Sequence, residues 1–190
     1  MTKNIAIFAS GTGTNAENLI RFFADEPDTA IVLLLSSKAE APVVGKARQH
    51  HIPVEICSKS FFTAASSLLP LLVRYEVHYI LLAGFLWFIP PFLLAAFPKR
   101  IVNIHPSLLP KHGGKGMYGL HVHTAVLQEH ETVSGITIHL VNEHYDQGAI
   151  LCQKSCPVYP TDSPATLAGR VHLLEKKWYP IAVKDVIKDK

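Results

Sequence analysis

Short unbroken apolar runs recur along the chain, each followed by a stretch with helical spacing. Residues 4–9, 31–35 and 79–83 have almost no polar break, the pattern of parallel strands covered on both faces. Residues 53–56 and 101–104 are predicted as further strands. The intervening segments 16–24, 41–50, 60–75 and 91–97 are predicted helices, with Pro70 expected to kink or interrupt the third. Strands alternating with helices imply a right-handed, mostly parallel sheet. After residue 104 the rhythm changes. A loop holding Gly113, Gly114, Gly116 and Gly119 leads into a predicted helix over 121–129. Residues 135–141 and 149–157 then predict two strands joined by a loop, an antiparallel pair. Ser163 opens a last helix, with Pro164 at its first position, expected to run to about residue 177. The expected fold class is α/β: a doubly wound, mostly parallel, Rossmann-like sheet with a C-terminal antiparallel strand pair. Ligands are expected at the carboxyl ends of the strands.

The 190 residues predict a single domain over 1–190, in two closely packed halves of about 1–100 and 101–190. Hydrophobic residues make up 48% and charged residues 17%, which supplies a sizeable core and argues against disorder. The formal charge of +3 is spread along the chain rather than clustered, so no nucleic-acid partner is expected. Residues 79–97 are apolar and uncharged, but Gly84, Pro90 and Pro91 divide them into strand, loop and short helix, so no membrane span is expected. Cys57, Cys152 and Cys156 lack zinc spacing, and their odd number, with no visible targeting segment, points to reduced thiols and a cytoplasmic protein.

Candidate chemistry lies at the ends of the predicted strands. Gly11-Thr-Gly13-Thr14-Asn15-Ala16 follows a strand and opens a helix, where backbone amides and the helix dipole suit a phosphate. The same residues fit a dinucleotide fingerprint, but the second strand ends in Ser36-Ser37-Lys38 where that fingerprint wants an acid for the ribose. Asn103 and His105 close the 101–104 run, and Pro106 holds His105 extended. Alone, Asn-x-His is usually a strand-end turn, and Asp146 near Gly148 a hairpin-loop residue. Together they supply a donor, an imidazole and a carboxylate, a set suited to acyl or formyl transfer. His121-x-His123, if on a strand, would place two imidazoles on one face; with no Cys or acid at metal spacing, no metal site is expected. His130, His139 and His144 read as surface or core histidines. Phe85 to Ile89 could line a flat apolar pocket or simply pack the core.

Asn103-Ile-His105-Pro-Ser-Leu-Leu-Pro110, with Asp146 and Gly148, resembles the folate-dependent formyltransferases. The resemblance extends to Ser10-Gly-Thr-Gly-Thr-Asn15, Leu82-Ala-Gly-Phe85 and Gly135-Ile-Thr-Ile-His139, and so covers essentially the whole chain. Two relatives sharing the His-Pro-Ser-Leu-Leu-Pro core carry an additional C-terminal or N-terminal domain; a 190-residue chain is expected to belong with neither.

The resemblance implies 10-formyltetrahydrofolate as co-substrate, glycinamide ribonucleotide as acceptor in purine synthesis, and no metal. It implies Asn103, His105 and Asp146 as the catalytic trio. Gly13, Thr14 and Asn15 would hold the substrate phosphate and Glu175 would orient its amine. Leu86, Trp87, Phe88 and Ile89 would meet the pterin, with Asn103 also touching folate. The expected mechanism has Asn103 and a protonated His105 donating to the oxyanion of a tetrahedral intermediate, while Asp146 keeps His105 charged. The first half would bind phosphate and the second would hold folate and the catalytic residues. The partners would be small molecules, and the protein a monomer or homodimer. Related chains often have Arg where this one has Trp87 and in the segment Phe62-Thr-Ala-Ala-Ser, which bears on the folate's glutamate tail. The glycines of 111–119 suggest a mobile flap. Alternative functions are a formyltransferase for another amine such as an amino sugar nucleotide, an NADP-dependent oxidoreductase, and a non-catalytic binding module.

Overall fold

The computed structural model describes residues 2–188. It contains two compact units, Met1–Val102 and Asn103–Lys190. Among the described residues, seven strands form one sheet in the order β3-β2-β1-β4-β5-β6-β7.

The first unit holds β1 (Lys3–Phe8), α1 (Thr14–Ala24), β2 (Thr29–Ser36), α2 (Pro42–Gln49) and β3 (Val54–Ile56). It continues through α3 (Lys59–Thr63), α4 (Ala65–Arg74), β4 (Tyr79–Leu82), α5 (Pro91–Ala96) and the first residues of β5 (Ile101–His105). β1 pairs in parallel with β2 and with β4, and β2 with β3. Ile5 to Phe8 and Ile80 to Leu81 are fully buried, as their unbroken apolar runs require. α1 turns Ala16, Leu19, Ile20 and Phe23 inward, spaced to form one helical stripe. α2 begins on Pro42, whose missing N–H costs nothing at a helix start.

One expected helix is two. The 60–75 segment breaks at Ala64, which is extended (φ −98°, ψ 112°), and Pro70 lies inside α4. Ser58 caps the short α3 by accepting from the Phe61 amide. Restarting the helix at Ala65 places Pro70 in the second turn, so the break falls upstream of the proline rather than at it.

The second unit holds the end of β5, α6 (Leu120–Gln128), β6 (Val133–Leu140), β7 (Ile150–Pro157) and α7 (Pro164–Lys188). β6 and β7 are antiparallel, with a register shift at Ile138/His139. The last helix runs eleven residues beyond its expected end at 177, through Pro180. Its buried stripe explains this: Val171, Glu175 and Tyr179 are continued by Ala182, Val183 and Ile187. Packing along that stripe outweighs the one backbone bond the proline removes. Among the described residues, no helix is long and apolar enough to cross a membrane.

Candidate active site

Asn103 and His105 lie two residues apart on β5 and therefore project from the same face of the strand. Asp146 comes to them from the loop between β6 and β7. Its Oδ2 lies 3.5 Å from His105 Nδ1, and its Oδ1 accepts from Asn103 Nδ2 at 3.4 Å. The amide of Gly114 donates to Oδ2 at 2.9 Å. The loop geometry needed to aim this carboxylate is unusual: Asp146 is left-handed (φ 55°), a region that Asp and Asn enter more readily than most residues. Just beyond it, Gly148 is packed so closely that a Cβ would lie 1.6 Å from the Leu140 carbonyl oxygen. The turn can therefore return only through a glycine.

His105 is held at both ring nitrogens. Nε2 is 2.8 Å from the His112 carbonyl, which can only accept, so Nε2 carries the hydrogen. The ring is almost wholly buried. Burial pushes His105 below the ordinary imidazole range, against the opposing pull of the Asp146 carboxylate and the His112 carbonyl. Burial and the Asp146 carboxylate thus act on the His105 imidazole in opposite directions. For Asp146, burial acts upward but is outweighed by the adjacent His139 ring, the field of His105 and the Gly114 amide, so its carboxyl stays below the usual range.

Several residues that support this cluster were not expected from sequence. His139 Nε2 is 3.1 Å from Asn103 Nδ2 and 3.6 Å from Asp146 Oδ1, while its Nδ1 donates to the Leu140 carbonyl at 2.9 Å. It belongs to the site's hydrogen-bond network rather than being an ordinary core histidine. Thr137, two residues before it on the same face of β6, donates to the Ser107 carbonyl and accepts from the Leu109 amide. Gln153 donates to Leu109 O and Thr137 Oγ1, and Ser107 Oγ donates to Lys111 O. These bonds hold the Pro-Ser-Leu-Leu-Pro segment that follows His105. The available signal was period-two placement of polar residues, Thr137 and His139, on an otherwise apolar strand.

The glycine loop lies in the first unit. Gly13 is left-handed (φ 78°) at the start of α1, and a Cβ there would meet Val43 at 2.6 Å. The first amides of α1 point past the helix end, a geometry that suits an anion. Ser37 Oγ donates to Ser10 Oγ at 2.7 Å, and Ser36 Oγ donates to Lys38 O, so the hydroxyls ending β2 are engaged locally. In the 86–89 segment Leu86 is exposed and Ile89 is buried. The Trp87 ring packs against Phe62 and Phe85 at 5.3 and 5.6 Å, with Lys59 Nζ over its face. Leu86 to Ile89 belong to the first unit. Glu175 is buried on α7, 3.9 Å from His172 Nε2. His121 and His123 lie on a helix, not a strand. Residues two apart on a helix do not face each other, so the imidazole pair does not form. His123 is buried and pushed down to about 4 by that burial, which keeps it neutral.

The formyl transferase family model matches residues 3–183. The chain belongs to this family. Among its relatives, phosphoribosylglycinamide formyltransferase, chloroplastic, from Arabidopsis thaliana is 44% identical over 183 residues, covering 93% of this chain and 63% of the relative. The chain thus spans less than two thirds of that plant protein's length. Phosphoribosylglycinamide formyltransferase from Bacillus subtilis is 36% identical over 190 residues, covering 97% of this chain and 95% of the relative. The crystal structure of phosphoribosylglycinamide formyltransferase from Bacillus halodurans superposes with a TM-score of 0.87 at 33% identity, covering 97% of this chain and 95% of that one. For this family member, then, the α/β fold with its C-terminal antiparallel strands is shared with solved relatives.

Proposed function

We propose that the chain transfers a formyl group from 10-formyltetrahydrofolate to the amine of glycinamide ribonucleotide, as part of purine biosynthesis. The observation that carries this reading is the convergence of Asn103 and His105 on the Asp146 carboxylate. The names of the relatives support the choice of acceptor.

In this reaction the amine attacks the formyl carbon and gives a tetrahedral oxyanion. Asn103 and His105 donate to that oxygen. The amine loses one proton and N10 of the leaving folate gains one, and Asp146 relays it through water. A metal is not required by these steps. Asn103, His105 and Asp146 satisfy one another and the 112–114 backbone, so the substrate oxygen has to replace one of those partners. The His112 carbonyl is the one most readily exchanged, because it sits on the glycine-rich 111–119 loop. The reading keeps Gly13, Thr14 and Asn15 for the phosphate, Glu175 for the amine, and Leu86 to Ile89 with Asn103 for folate. It also keeps a Rossmann-like, cytoplasmic enzyme, a monomer or homodimer, with small molecules as its partners.

The test is loss of the formyl group from 10-formyltetrahydrofolate, followed by absorbance, with and without added glycinamide ribonucleotide. Turnover that depends on the ribonucleotide supports the proposal. Turnover with an amino sugar nucleotide instead, or NADPH oxidation with any acceptor, would overturn it.

The phosphate placement has its own test. Gly13→Val is expected to raise the Michaelis constant for glycinamide ribonucleotide and lower the melting temperature, because the new side chain meets Val43. Gly11→Ala, with open space around its Cβ, is expected to change neither strongly. If glycinamide riboside, which lacks the phosphate, binds as tightly as the ribonucleotide, the placement is wrong.

A further inference from the structure

His112 stands apart from the catalytic network in its side chain, though its backbone is part of it. Its side chain is 5% exposed, yet the buried Nε2 has no hydrogen-bond partner. That nitrogen lies 3.6 Å from Glu131 Oε1, and Nδ1 lies 3.8 Å from Glu129 Oε1. The three residues each offer a ligand atom, and these atoms all lie within 4.8 Å of one another. Glu129 is the C-cap of α6, where the helix dipole adds negative potential. Lys111 already supplies a cation here: its Nζ is 2.7 Å from Glu131 Oε1 and mostly exposed.

We infer that His112, Glu129 and Glu131 form a binding site for a first-row divalent cation, with zinc as the best match. One imidazole nitrogen and two carboxylates are a donor set that zinc accepts, with water in the fourth position. Magnesium and calcium prefer all-oxygen shells and are disfavoured by the imidazole. A four-coordinate zinc holds its ligand atoms roughly 3–3.5 Å apart, so the site must contract. Glu129 is exposed and has the freedom to do so. Zinc would take Glu131 from Lys111 and supply the partner that His112 Nε2 lacks.

The consequence reaches the catalytic residues through the backbone. The His112 carbonyl accepts from His105, and two residues on the Gly114 amide donates to Asp146. A cation on the His112 ring would pin the loop that holds both groups. Cation binding itself does not depend on the formyl transfer reading, and the experiment below measures binding alone.

The experiment is titration of the whole purified protein with zinc chloride by calorimetry, with magnesium chloride as the comparison. The expected result is one tight zinc equivalent and no comparable magnesium uptake. Glu131→Gln and Glu129→Gln should weaken zinc binding by about tenfold or more through loss of a ligand. Lys111→Met should tighten it by about two- to fivefold, since it removes a competing exposed ion pair. Zinc should also shift the amide NMR signals of Gly113 and Gly114. Glu129 is exposed, Glu131 is partly so, and both changes are isosteric, so misfolding is not expected to obscure the outcome. The inference is overturned if the parent takes up no tight zinc, or if Glu131→Gln and Glu129→Gln both bind zinc as tightly as the parent. In the latter case the metal sits on other histidines.

Discussion

Replacing His105 with alanine should lower turnover by about 10²–10⁴-fold while the Michaelis constants change little, the range for loss of a positioned acid or oxyanion donor. A group that acts only as charge develops on the formyl oxygen contributes to the transition state and not to ground-state binding, so the loss belongs in kcat. The geometry behind this expectation is a buried imidazole at the end of β5, fixed by a carbonyl on one nitrogen and a carboxylate near the other. The substitution also leaves the His112 carbonyl and the Asp146 carboxylate without that partner. A stability loss of about 1–3 kcal/mol is therefore expected as well. A melting curve separates the two effects, because kcat is measured well below the transition. His105→Asn, which keeps a donor, should recover part of the turnover. If the alanine variant retains turnover within about threefold of the parent, His105 is not the oxyanion donor.

Much of the first unit was legible because its signals are local. The apolar runs of β1 and β4 and the stripe of α1 each report their burial within a few residues. Asn103 and His105 were legible for a similar reason: two-residue spacing at a strand end places both side chains on one face. The features that were missed depend on partners distant in the chain. α7 continues through Pro180 because Ala182, Val183 and Ile187 are buried, and no local signal near residue 177 carries that information. His139 joins Asn103 across 36 residues, and His112 approaches Glu129 and Glu131 only once α6 has turned the chain back. The downward pull on His105 was not legible for a related reason. Its neighbour Asp146 could be guessed, but the depth of burial that outweighs the carboxylate is a property of the packed unit.

Asp146→Asn should be about as damaging to turnover as His105→Ala, and the two losses should not add. Asparagine is the informative replacement here. Residue 146 is left-handed, which Asn tolerates, and an amide oxygen can still accept from Gly114. What is lost is the charge. Asp146 is the group that draws His105 upward against burial, so removing the charge makes the imidazolium less favourable and moves the His105 midpoint lower still. An NMR titration of the ring in parent and variant reads this directly. The parent midpoint should lie below the ordinary imidazole range, and the variant's below that. The stability linkage has the same sign. With a depressed folded midpoint, the contribution of neutral His105 is present above the ordinary imidazole range and is lost as pH falls through that midpoint. On turnover, groups that act as one unit give a double variant resembling the worse single one. Losses that multiply, together with a His105 midpoint unmoved by Asp146→Asn, would separate the two residues and leave Asp146 to shape the loop rather than assist the transfer.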